Sequence, residues 1–72
     1  MSAGALDEAL AAALALHRAA RLTEAEERYR AILAAAPSHG DALGLLGTLY
    51  VQTGRFADAI ACFDRFLAER AD

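Results

Sequence analysis

A chain of 72 residues can form one small domain and no large enzyme, because at this size folding buries only about 60% of the surface the unfolded form exposes. Hydrophobic residues make up 57% of it, with 20 Ala and 11 Leu, whereas Val and Ile together number three and Trp is absent; this predicts an all-α protein and leaves little for a sheet. A net charge of −3 lacks the basic excess of a nucleic-acid footprint, and one cysteine, Cys62, can form neither an intrachain disulfide nor a thiolate metal cluster, which suits a cytoplasmic setting.

At the N-terminus, residues 1–5 form a lead without positive charge, and Asp7 and Glu8 precede an apolar run from Ala9 to Leu16. Neither a signal peptide nor a membrane span fits, since a span needs roughly 20 apolar residues. As a membrane-surface helix, residues 6–20 lack the Lys/Arg flank such helices use. The first helix carries Ala9, Ala12, Ala13 and Leu16 on one face. In the second, Leu22, Ala25, Tyr29, Ile32, Leu33 and Ala36 point inward and Glu24, Glu27, Arg28 and Arg30 outward, with Thr23 and Glu26 spaced as a capping box. Glu24–Arg28 and Glu26–Arg30 have the spacing of helical ion pairs. Pro37 ends this helix, and Ser38 and Asp41 offer a cap for the third. The third helix has its core residues at Leu43, Leu46 and Tyr50. Gly54 is placed as a left-handed residue after it, where the first helix has Ala20. The fourth presents Phe56, Ile60, Phe63 and Leu67 at helical spacing with Ala59 and Phe66 alongside, a wide apolar stripe against a charged side of Asp58, Asp64, Arg65 and Glu69.

These elements repeat. With Leu6 set on Gly40, segment 6–38 aligns with 40–72: Asp7, Arg21, Ala25, Leu33 and Ala34 meet identical residues, and Leu16/Tyr50, Leu22/Phe56, Glu24/Asp58, Tyr29/Phe63 and Ile32/Phe66 are conservative pairs. In the second unit Leu43, Leu46-Gly47, Tyr50, Gly54, Phe56, Ala59 and Phe63 occupy the places of the pattern W-x2-L-G-x2-Y…A-x3-F, with Leu for Trp; the first unit follows it more weakly at first and recovers with Leu22, Ala25, Tyr29, Leu33 and Pro37. In period and in motif the chain thus resembles the tetratricopeptide repeat family over residues 6–72.

The resemblance implies two helix-turn-helix units, 6–39 and 40–72, as four antiparallel helices in a short right-handed α-solenoid without a C-terminal capping helix. It implies a non-catalytic interaction module in which the first helix of each pair lines a concave groove for a peptide or helix. Carried over, that face is Asp7, Leu10, Ala11, Leu14, His17 and Arg18, then Asp41, Gly44, Leu45, Thr48, Val51 and Gln52. Leu45 lies about 200° around its helix from Leu43 and needs other cover. Members that dock chaperone tails grip a carboxylate with Lys and Asn, and the O-linked N-acetylglucosamine transferases carry an Asn ladder; this face has neither, with Ala11 and Leu45 at the ladder places. The texture of residues 15–37 is similar to bacterial multi-repeat proteins, some with a glycosyltransferase behind the repeats, so the alternative reading is the recruitment segment of such an enzyme.

Repeat arrays gain stability from neighbour interfaces. Stopping at a repeat boundary, as a piece of a longer array would, the last helix is expected to show Ala59, Phe63 and Phe66 to a neighbour, and homo-oligomer formation follows. No catalytic residue, cofactor or metal is implied. His17 and His39 lack ligand spacing, Cys62 reads as a small hydrophobe, and Gly40, Gly44 and Gly47 lack the Lys and preceding strand of a phosphate loop. Gly44 either answers to no requirement or marks where a ligand nears the backbone.

Overall fold

The computed structural model describes residues 3–70 and contains four α-helices: α1 (Ala3–Arg18), α2 (Leu22–Ala35), α3 (Gly40–Gln52) and α4 (Phe56–Arg70). Residues 1–2 of the expected lead and 71–72 of the expected second unit lie outside the described residues. Each helix packs on its successor, α1 also touches α3, and α4 meets α3 alone among the described helices. The result is a slab of 31 × 29 × 15 Å, thin enough that core residues come from one face of each helix. Ala13, Ala25, Tyr29, Leu46, Leu49, Tyr50, Ala59 and Cys62 form a continuous buried cluster, flanked by half-buried Leu10, Leu16, Leu22, Leu33, Leu45 and Phe63.

The corners inside the two repeat units, α1–α2 and α3–α4, are built alike. Arg21 N–H donates to Leu16 O (2.9 Å) and Ala20 N–H to His17 O (3.0 Å); at the equivalent corner of the second unit, Arg55 N–H donates to Tyr50 O (2.8 Å) and Gly54 N–H to Val51 O (3.1 Å). This paired closure requires a left-handed residue, supplied by Gly54 at φ 75° and, against steric preference, by Ala20 at φ 63°. Because the corner fixes the start of α2 at Leu22, Thr23 lies inside the helix and the expected capping box does not form; the N-cap is Arg21, with no side-chain hydrogen bond. Glu24 pairs with Arg21 (2.6 Å), as Asp58 does with Arg55 at the start of α4 (3.0 Å). The α3 cap also differs from expectation: His39, in place of Ser38, accepts from Ala42 N–H through Nδ1 (3.2 Å).

The largest departure is the face α4 turns inward. Ala59 and Cys62 are buried and Phe63 and Phe66 half-buried, whereas Phe56, Ile60 and Leu67 are 61, 59 and 62% exposed. The cause lies in α3, where Gly40, Gly44 and Gly47 make a shallow furrow. The Phe63 ring occupies the space a Cβ on Gly47 would need, 2.6 Å from it, and the Phe66 ring lies 3.7 and 3.9 Å from the Cβ positions of Gly40 and Gly44. Two rings seated in the furrow rotate the rest of the apolar arc into solvent. Ala59, Phe63 and Phe66 are therefore packing residues on α3, and Phe56, Ile60 and Leu67 form the uncovered terminal face.

Candidate functional site

Two adjoining hollows lie on the face made by α1 and α3. The first, about 510 Å³, is lined by Leu14, His17, Arg18, Ala20, Leu22, Leu45, Thr48 and Gln52. The second, about 420 Å³, is lined by Leu10, Leu14, Gly40, Asp41, Gly44, Leu45, Thr48 and Phe66. Leu14, Leu45 and Thr48 stand between them and belong to both. Helical spacing puts Leu10, Leu14, His17 and Arg18 of α1 on one side and Asp41, Gly44, Leu45, Thr48 and Gln52 of α3 on the other. Asp7, Ala11 and Val51 are exposed and line neither hollow.

Leu22 and Phe66 come from second helices, where the repeat pattern assigns Leu22 to the core and Phe66 to the terminal face. Half-buried Leu22 serves both core and hollow, and half-buried Phe66 lies over the α3 glycines at its hollow's edge. Ala20 and Gly40 sit at helix ends, where periodicity carries no signal. Leu45, with no place beside Leu43 and Leu46, is half-buried between the hollows and packs on the edge of the core.

The floor of the first hollow is pinned by a polar chain. Gln52 Oε1 can only accept, so His17 carries its proton on Nε2 and donates to it at 2.5 Å; Nδ1 then accepts from the Tyr29 hydroxyl at 2.9 Å. That satisfies a hydroxyl on a fully buried ring and ties α1, α2 and α3 together. Burial pushes the Tyr29 pKa up, opposed by the nearby Arg18 guanidinium. Arg18 and Asp41, at the two ends of the paired hollows, have no ion-pair partner among the described residues.

A second polar cluster lies where α2 meets the α3–α4 corner. Glu26 accepts from Arg55 (2.8 Å) and from the Tyr50 hydroxyl (3.3 Å) and pairs with Arg30 (3.4 Å), while the Arg55 guanidinium lies 4.5 Å from the Tyr50 ring centre. Burial raises the Tyr50 pKa, opposed by the hydrogen bond from Arg30. Helical spacing predicts only Glu26–Arg30; the links to Tyr50 and Arg55 depend on the path of the chain.

The remaining chemical candidates have structural surroundings. Burial pushes the Cys62 thiol up in pKa, with Arg65 opposing, which disfavours the nucleophilic thiolate. Among the described residues no three His, Cys, Asp or Glu side chains gather as a metal site, and no helix is long and apolar enough to cross a membrane.

Paired antiparallel helices with an open, largely apolar face define a helical-repeat interaction module. The tetratricopeptide repeat family model matches residues 16–72, and the chain belongs to that family, whose members generally mediate protein–protein interaction. Comparisons with curated proteins and with solved structures give no match.

Proposed function

We propose that this chain is a non-catalytic binding module that takes an extended or helical segment of a partner protein across the two hollows of the α1/α3 face. The observation that carries the reading is the pair of adjoining hollows with Leu14, Leu45 and Thr48 between them and the charges of Arg18 and Asp41 at opposite ends. Such a surface suits a segment with two large apolar side chains one or two helical turns apart. A carboxylate on the segment would meet Arg18 and a cation Asp41. The module also associates with itself through the uncovered side of α4, where three large apolar side chains stand in solvent.

Leu45→Glu tests the groove. It places a carboxylate between both hollows at a half-buried position, so partner proteins captured by the wild type are lost from the variant while its helical content is kept. Equal capture by both proteins refutes this site. Recruitment of a substrate to a larger enzyme requires the same groove and is distinguished by whether a catalytic segment is joined to the repeats.

A further inference from the structure

The uncovered stripe of α4 has a covered counterpart within the same chain. In the repeat alignment Phe56, Ile60 and Leu67 take the places of Leu22, Glu26 and Leu33, on the side of α2 that the second unit covers. Glu26 is what makes that contact specific, since its carboxylate accepts from the Tyr50 hydroxyl and from Arg55. At the equivalent place α4 has Ile60, 59% exposed. In a second copy, the α3 side that would match α4 is already packed on its own α2, where its Tyr50 hydroxyl and Arg55 bond Glu26, so α3 is not free to cover α4.

The α1 helix of another copy is no better suited. Where α3 has the buried Ala42, Leu46 and Leu49, α1 has Glu8, Ala12 and Ala15, all exposed. That surface has a carboxylate where an apolar contact is needed and no large side chain to fill the gaps. The α4 stripe lacks the second defect: Phe56, Ile60 and Leu67 are large, apolar and exposed, with exposed Asp64 at the edge, so the stripe can pack on a second copy of itself.

We infer that the uncovered side of α4 is an isologous docking surface for α4 of a second copy, the two helices running antiparallel. A two-fold axis through the middle of the stripe sets Phe56 over Leu67 of the second copy and Ile60 against the open edge of its half-buried Phe63. This inference rests on the self-association reading and specifies its surface, register and symmetry. An isologous contact closes on itself, so the product is a dimer and not a filament. The stripe spans about three helical turns, less than the roughly 800 Å² per partner of a standard interface, which makes the dimer reversible in the micromolar range or weaker.

Sedimentation equilibrium of the whole chain from low micromolar to near-millimolar concentration reads the association. The wild type is expected to pass from monomer to dimer, and Ile60→Glu and Leu67→Glu, both at exposed positions, to stay monomeric with unchanged helical content. In a Cys62→Ala background, a mixture of Phe56→Cys and Leu67→Cys proteins oxidised with a glutathione disulfide buffer should give the mixed disulfide dimer in preference to either homodimer. A wild type monomeric throughout overturns both the inference and the self-association reading. Dimers that survive both glutamate variants, or a Phe56→Cys homodimer favoured over the mixed one, overturn the inference alone. Leu45→Glu is expected to dimerise normally, which separates this surface from the groove.

Discussion

Two units that close their corners with the same pair of backbone hydrogen bonds differ in how far they bury equivalent side chains. Tyr29 in the first unit is fully buried, tied to His17, and lies between α1 and α3. Phe63, its counterpart in the second, is half-buried in the α3 furrow, with no described helix on its far side. The same holds for Leu22 against Phe56 and Leu33 against Leu67. Geometry repeats because the corners and helix lengths repeat; burial does not, because it depends on what lies on both sides of a helix. In this molecule the second helix of each unit gains its full cover only from a neighbour.

The sharpest test of that difference compares the two aromatic positions. Tyr29→Ala removes a fully buried ring and leaves His17 without its hydroxyl partner, at a cost of about 3–5 kcal/mol. That approaches the whole stability of a small domain, so the variant is expected to lose cooperative unfolding in urea. Phe63→Ala removes a half-buried ring, and its cost is expected to be about half as large, with the transition shifted but still cooperative. Equal losses would show that the units are equally packed and break the comparison.

The same contrast explains which features could be read from the sequence. Four helices, the repeat offset and the left-handed place of Gly54 were legible, because each depends on local spacing or on one residue's stereochemistry. Most of the α1/α3 face was legible too, since positions three and four apart share a helix face. The inward side of α4 was not. Its apolar arc runs from Phe56 through Phe63 to Phe66, wider than one neighbour can cover, and periodicity locates such an arc without saying which part touches α3. That choice was made by glycines on another helix. The roles of Glu26, His17 and His39 were hidden for a related reason: Tyr50, Arg55 and Gln52 reach them through the turns of the chain, and His39 caps a helix in place of the usual small polar residue.

The corners offer a smaller test. Ala20 holds φ 63° where Gly54 holds 75°, and a left-handed conformation costs a residue with a Cβ about 1–2 kcal/mol. Ala20→Gly relieves that strain but gives the unfolded chain more freedom, so the net gain is expected to be about 0.5–1 kcal/mol in urea midpoint analysis. Gly54→Ala is expected to lose about 1 kcal/mol; a Cβ there would have no atom within 4 Å, so the loss is of backbone origin alone. If the two substitutions fail to act in opposite directions, the corners are not the equivalent structures their hydrogen bonds indicate.

Gly44 separates folding from binding. A Cβ there would sit 3.9 and 4.0 Å from the Phe66 ring, an ordinary contact, so unlike Gly47 this position does not need glycine for packing. Replacing glycine by alanine inside a helix gains about 0.5–1 kcal/mol, which for a domain this small raises Tm by a few degrees. Yet Gly44 lines the second hollow, and a methyl group there narrows the space between Leu10, Leu45 and Phe66. Gly44→Ala is therefore expected to melt higher in a thermal scan monitored by circular dichroism and to capture the partner segment less well than the wild type. A variant that is more stable and binds unchanged would place the partner on the Arg18 side alone, in the first hollow; one that is less stable would mean that Phe66 cannot make the small shift the furrow requires.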